Sequence, residues 1–489
     1  MTALDNEPFV SGKFLVAGQW VAGRKTFEVH NPARVDNIVG LAAWCSAEDV
    51  LLAIEAAWGA FASWKSTDLS ERIERTLEAA KNLRPYLDDL AKLLVRENGK
   101  VLVEAKKDVY RCDEVLEILP HHLNRWFSGM IFEGTQHVEQ RRRPRGVTAI
   151  ISPWNSPMIL TFKRVIPAIL TGNTVVVKPP SYCPLTIMEA LKVVAKSFPD
   201  GVLNIVTGPG AEIGEMLATH PAVKTVSLIG GTETGKTVMR MAAPTLKKLY
   251  LELGGNDPAI ILPDAALSDA EVSRLKGAVL RSAGQVCSAV KRIYVHRSRY
   301  EELVAKLTTA FDEVTVGDGL KTGVTMGPLN NKAQYDFVTQ LLNDTRAQGR
   351  TMLSCGQKES LESWDQGYFV APTIVADAEN DDELVQCEQF GPVIPIVQYD
   401  DIDQAVTWAN QTPYGLRASI WGGDLQHAQD LAQQLEAGAV FYNQHGIFQD
   451  LLLDFPGVKE SGVGRETIFG NFELFCDTYG FAHDRGDNV

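Results

Sequence analysis

Three short segments carry side chains suited to chemistry in a cleft. In Gly284-Gln285-Val286-Cys287-Ser288 a thiol follows a glycine, a residue that lets backbone come close to a ligand. In Glu252-Leu253-Gly254-Gly255-Asn256 a carboxylate ends a strand-like run ahead of paired glycines, which suits a group that gives or takes a proton. Pro153-Trp154-Asn155-Ser156-Pro157 follows the strand-like run Val147 to Ser152 and holds an amide at a strand's C-terminal edge, where ligand sites of parallel α/β sheets lie. Each segment alone also fits a structural role: a small buried hydrophobe for the thiol, a glycine turn for the carboxylate, an Asn turn for the amide.

The elements around these segments change character along the chain. From Ala47 to about Leu119 apolar residues recur at helical spacing, as in Glu71 to Leu83 and at Leu87, Leu90 and Leu94, after a short β-like start. Beyond this, the apolar, β-branched runs Val147 to Ser152, Thr174 to Lys178, Leu203 to Thr207, Thr225 to Ile229 and Ala259 to Leu262 alternate with helix-like stretches. That alternation predicts a parallel α/β sheet. A second α/β region after Glu252 contains strand-like Lys291 to His296 and Val393 to Tyr399, with helical Glu301 to Val314 and Ile402 to Asn410. At 489 residues the chain exceeds what one core usually organises, so two closely packed lobes with the site between them are expected.

Composition narrows the function classes. Hydrophobic residues make up 45% and charged residues 22%, as in a folded soluble protein. A net charge of -14 repels nucleic-acid phosphate and anionic lipid; the basic run Arg141, Arg142, Arg143 and Arg145, broken by Pro144, reads as a solvated or subunit-facing loop edge. Seven scattered cysteines without a CxxC pair or Cys/His cluster argue for reduced thiols and no metal. Asp5 and Glu7 stand where a signal peptide would be basic and then apolar, and no apolar run reaches the ~18 residues of a membrane span, so a cytoplasmic location is expected. A cysteine hydrolase would need a histidine partner, and none of the nine histidines lies in a motif near Cys287.

Together the three segments resemble the aldehyde dehydrogenase superfamily, in that family's order and over nearly the whole chain. The matching stretches include PWNxP at Pro153 to Pro157, TGNTVVVKPP at Thr171 to Pro180, GxG at Gly208 to Gly210 and a phosphate turn from Gly230 to Gly235. ELGG at Glu252 to Gly255, GQVC at Gly284 to Cys287, MGPL at Met326 to Leu329 and GYFVAPT at Gly367 to Thr373 continue it. EQFGPV at Glu388 to Val393, TPYGL at Thr412 to Leu416 and KESGVGRE at Lys459 to Glu466 complete it.

The resemblance implies oxidation of an aldehyde to a carboxylic acid with NAD or NADP and no metal. Cys287 would be the nucleophile, the Asn155 amide with the Cys287 N–H the oxyanion donors, and Glu252 the base that activates water to hydrolyse the thioester. Ser152, Pro153, Trp154, Gly210 and Leu253 would line the cofactor site. Gly230, Gly231 and Gly235 would bring a helix N-terminus to the pyrophosphate. Lys178 and Glu388 would hold the adenosine and nicotinamide ribose hydroxyls, with Phe390 by the nicotinamide. Many NAD-preferring relatives carry a glutamate where Ser181 stands, so NADP is expected to be tolerated.

Ser156, Leu160, Lys163, Val286, Ser288, Phe448 and Phe455 would line the aldehyde tunnel; Lys163 fits either an anionic semialdehyde or a lysine snorkelling at the tunnel mouth. Departures from the family pattern are Gly231 in the phosphate turn, Arg281 and Ser282 before GQVC, Ser156, and Asp454-Phe455-Pro456-Gly457. The fold implied is a five-stranded Rossmann-like cofactor domain (1–124 and 146–254), an α/β catalytic domain (255–473) and a small β oligomerisation extension (125–145 and 474–489), assembled as a homodimer or dimer of dimers. The competing readings are a CoA-acylating dehydrogenase, which Glu252 disfavours, and a non-catalytic binding or structural member, which loss of Cys287 or Glu252 would signal.

Overall fold

The computed structural model describes residues 12–127, 130–133, 136–446, 457–464 and 472–484. Runs such as Thr174–Lys178, buried at every position, belong in a sheet covered on both faces, and that is where they lie. Five parallel strands stand side by side in the order Leu203–Ile205, Thr174–Lys178, Val147–Ile151, Val223–Ile229 and Lys248–Glu252. The antiparallel pair Lys13–Val16 and Gln19–Ala22 extends one edge. Gly462–Val463, numbered within the expected catalytic domain, pairs antiparallel with Lys248–Glu252 at the other edge. An edge strand left open would expose its backbone groups, and this distant segment closes it beside the carboxylate of Glu252.

A second sheet has the order Met352–Ser354, Thr373–Val375, Val393–Tyr399, Val290–His296, Asp257–Ile261, Arg417–Trp421 and Ala439–Tyr442, parallel except for its first pair. Only Leu253 to Asn256 separate the last parallel strand of the first sheet from Asp257–Ile261. The two sheets therefore meet end to end across a four-residue turn. A third, antiparallel sheet joins Met130–Glu133, Gln136–Pro144 and Cys476–Asp484.

Helices Ala47–Trp64, Leu69–Leu83, Leu87–Asn98 and Leu102–Phe127 pack into the first lobe. Ser46 and Asp49 form a capping box at the first of these, and Gly99, at φ +91°, ends the third in the left-handed conformation that glycine adopts without strain. The last runs to Phe127, past the boundary expected at residue 124. The strand expected over Leu203 to Thr207 ends at Ile205, because Thr207 turns away to bond Ala43 O and to accept from the Cys45 N–H.

Asn173, fully buried, explains part of the TGNTVVVKPP stretch. Its Oδ1 accepts from the N–H groups of Arg145 (2.8 Å) and Gly146 (3.0 Å), while its Nδ2 donates to Phe475 O (2.9 Å), Thr171 Oγ1 (2.9 Å) and Ala168 O (3.3 Å). One amide thus ties the start of the Val147 strand to the end of the third sheet. Asn173→Ala strands several buried backbone groups at once, each worth about 1–3 kcal/mol. Urea unfolding should show a loss of about 3 kcal/mol or more; a loss under about 1 kcal/mol would mean the tie is not structural.

Candidate active site

The turn that carries Cys287 is built from unusual backbone. Helix Asp269–Leu280 ends at Arg281, and Ser282, Ala283 and Gly284 follow at φ +51°, +55° and +74°. A Cβ on Gly284 would lie 2.1 Å from the Gly391 carbonyl oxygen, so no larger residue fits the first position of GQVC. Glu104 accepts from the Ser282 N–H at 2.9 Å, and Gln285 reaches both the Ser282 carbonyl (2.9 Å) and the Asn330 N–H (2.9 Å). Lys291, at the start of the next strand, points back under the turn and donates to Val286 O and Cys287 O, both at 2.8 Å. Cys287 is half-buried; of the other six cysteines five are buried and Cys387 is half-buried.

The glycines after Glu252 pack closely, Gly255 against this turn and Gly254 against Glu388. A Cβ on Gly255 would sit 2.6 Å from Cys287 O, and one on Gly254 would sit 2.4 Å from Glu388 Oε2. Glu252 itself, at the end of its strand, accepts from Tyr250 OH at 2.8 Å and pairs with Arg164 at 3.2 Å. The Arg164 guanidinium lies 4.3 Å over the Tyr250 ring, with the Arg164 side chain 1% exposed. Burial pushes the Cys287 thiol up to about 12, aided by the charges of Glu252 and Glu388 and opposed by those of Lys291 and Arg417.

Asn155 is buried. The turn that holds it is braced from below. Asn98 donates to Trp154 O at 2.6 Å, and the buried Lys100 bonds both Asp108 and Ser156 Oγ at 3.2 Å. Asp108 in turn accepts from the Ile159 N–H at 2.9 Å.

The residues expected around the cofactor fall along the C-terminal edge of the first sheet and the facing lobe. Ser152 and Pro153 are buried beside Lys178, whose Nζ donates to Pro179 O at 3.0 Å and whose ammonium burial pulls down to about 8. Gly231 caps helix Thr232–Ala242 with no side-chain hydrogen bond, and open space surrounds Gly231 and Gly210. Gly235 lets that helix press on Leu253, since a Cβ there would lie 2.5 Å from its methyl carbon. Trp154 and Phe390 meet edge to face at 5.2 Å, and Glu388 accepts from the Gly255 N–H at 3.0 Å. These features fit a dinucleotide: uncapped helix N–H groups for pyrophosphate, with a buried lysine and a carboxylate for ribose hydroxyls. Ser181 differs from expectation in one respect: its hydroxyl donates to Gly208 O at 2.9 Å and lies 3.5 Å from Lys178 Nζ.

Of the tunnel positions, Ser156, Leu160 and Lys163 are half-buried on or beside helix Pro157–Leu170, while Val286 and Ser288 are buried around the thiol. Phe448 and Phe455 lie outside the described residues. Sequence reasoning passed over Arg164, Tyr250, Lys100 and Lys291. The signal the sequence offers is a pair of charges inside the apolar run MILTFKRVIPAIL, of which Lys163 is half-buried and Arg164 points inward. Among the described residues no group of three or more His, Cys, Asp or Glu is placed to hold a metal, and no helix is long and apolar enough to cross a membrane.

The chain is similar to known proteins over nearly its full length. The model of the aldehyde dehydrogenase family matches residues 20–479. Phenylacetaldehyde dehydrogenase of Pseudomonas fluorescens is 36% identical over 480 residues, 95% of this chain and 94% of that protein. The crystal structure of an NADP-dependent enzyme of E. coli superposes with a TM-score of 0.92 at 31% identity, covering 97% of this chain and 98% of the other. A betaine aldehyde dehydrogenase of Staphylococcus aureus in complex with NAD+ gives 0.92 at 28% identity, over 98% of this chain and 96% of that one. Extended over nearly its full length by these matches, the chain belongs to the aldehyde dehydrogenase family.

Proposed function

We propose that the protein oxidises an aldehyde to a carboxylic acid through a thioester on Cys287, which water activated by Glu252 then hydrolyses. The observation that carries this reading is the packing of the Glu252–Gly255 turn against the Cys287 turn, which makes the Glu252 carboxylate an electrostatic neighbour of the thiol. NAD(P)+, when bound, accepts the hydride that converts the thiohemiacetal to the thioester.

The chain's residues do the rest. The Cys287 sulfur, once its proton has left, bonds the aldehyde carbon, and the carbonyl oxygen gains negative charge. The Asn155 amide and the Cys287 N–H are the donors for that oxygen. In the second half-reaction Glu252 takes a proton from water, the hydroxide adds to the thioester carbon, and the C–S bond breaks to return Cys287. Glu252 must leave Arg164 and Tyr250, or lengthen its contacts with them, to do so. Lys178 and Glu388 are assigned to the ribose hydroxyls, Gly230, Gly231 and Gly235 to the pyrophosphate turn, and Ser156, Leu160, Lys163, Val286 and Ser288 to the aldehyde tunnel.

Cys287→Ala and Cys287→Ser should lower dehydrogenase turnover on the order of a thousandfold or more, with cofactor binding, followed by fluorescence, nearly unchanged. Activity within tenfold of the parent enzyme would sink the assignment of the nucleophile.

Cofactor choice is tested at Ser181, where a carboxylate facing a 2′-phosphate a few Å away costs on the order of a few kcal/mol at intermediate dielectric. The ratio of kcat/KM for NADP to that for NAD should fall at least roughly tenfold in Ser181→Glu. A parent enzyme that ignores NADP, or a variant with an unchanged ratio, would show that Ser181 does not face the ribose.

A further inference from the structure

Lys291 has no part in the mechanism above, yet its ammonium hydrogen-bonds the Cys287 carbonyl directly. Its side chain is 2% exposed. Its three N–H donors are used on three carbonyls of one turn: Val286 O at 2.8 Å, Cys287 O at 2.8 Å and Ala289 O at 3.4 Å. Glu388 Oε1 lies 3.8 Å away and the Phe390 ring centroid 5.7 Å away. A hydrogen-bonding plug alone could be an amide or hydroxyl; a buried charge costs several kcal/mol in desolvation and demands a counter-charge and a use.

We propose that Lys291 is a positioning residue for the nucleophile: its buried ammonium pins the carbonyls of the Val286–Ala289 turn and supplies the positive charge that favours the Cys287 thiolate over the thiol. Four charged groups act on that sulfur besides it. Glu252 and Glu388 oppose the thiolate, and Arg417 and Arg281 favour it. Glu388 thus works against Lys291 twice, by its own charge at the sulfur and by neutralising the ammonium.

The inference rests on reading Cys287 as the nucleophile, but alkylation of its thiol needs neither aldehyde nor cofactor, so the two readings fail separately. The enzyme is treated with iodoacetamide at several pH values, and alkylation of the Cys287 peptide is followed by mass spectrometry in Lys291→Met, Lys291→Gln, Lys291→Arg and Glu388→Gln. Losing the cation reduces the thiolate fraction but makes the remaining thiolate more nucleophilic, so a tenfold loss of thiolate slows alkylation by roughly three- to fourfold. Lys291→Met and Lys291→Gln should both slow alkylation by at least that factor, Lys291→Arg should restore most of the rate, and Glu388→Gln should accelerate it. The glutamine variant keeps donors without charge, and the glutamate variant must move the rate in the opposite direction, which loosened packing alone would not do. A parental rate in Lys291→Gln, or slower alkylation in Glu388→Gln, overturns the proposal.

Discussion

Everything at this site depends on how closely two turns approach each other. The chain leaves the first sheet at Glu252 and enters the second at Asp257, and the Cys287 turn folds over the residues between. At Gly255 a side chain as small as a methyl group would lie 2.6 Å from Cys287 O, and at Gly254 it would lie 2.4 Å from Glu388. Backbone cannot give way as the end of a side chain can, so Gly255 is what allows the Glu252 and Cys287 turns to approach this closely. The left-handed run Ser282 to Gly284 is the counterpart on the other turn, breaking the chain out of the preceding helix three residues before Cys287.

That proximity concentrates charge around the Cys287 thiol. Burial alone disfavours the thiolate of Cys287, and the neighbouring carboxylates add to the effect. The fold answers with buried cations, each placed against a specific partner. Arg164 and Tyr250 hold Glu252 in an ion pair and a hydrogen bond, and Lys291 stands between the Cys287 turn and Glu388. Removing one member of such a set leaves the other buried and uncompensated, which costs more than the pair contributes when intact. Lys100 and Asp108 repeat the device beneath the Asn155 turn, so each of the three segments with chemical potential has a buried charged brace.

Much of this was legible in the residues. Strands Thr174–Lys178 and Val393–Tyr399 and helix Ile402–Asn410 have the bounds that periodicity alone predicts, because each is a regular element with an uninterrupted pattern. The segments proposed to be catalytic stand out in the sequence only together: Cys287, Glu252 and Asn155 each fit a structural role alone, and it is their order along the chain that resembles the family. The braces were not legible. Arg164 finds Glu252 and Lys291 finds Glu388 across the fold, and a charge in an apolar run looks the same in sequence whether it snorkels outward or turns inward. Strand pairing across long separations, such as Gly462–Val463 on Lys248–Glu252, was likewise set by tertiary closure of an edge. Ser181 reads correctly as a residue without a carboxylate, but its bond to Gly208 O follows from how the strand end turns.

The central claim is that Cys287 carries the acyl group and that Glu252 releases it. The most direct measurement is acid quenching of Glu252→Gln after mixing with an aldehyde and NAD(P)+, followed by mass spectrometry of the peptides. The account predicts one equivalent of reduced cofactor formed in the first turnover and an acyl adduct that accumulates on the Cys287 peptide and is released slowly. An adduct on another residue, or release by water at the parental rate, would contradict it.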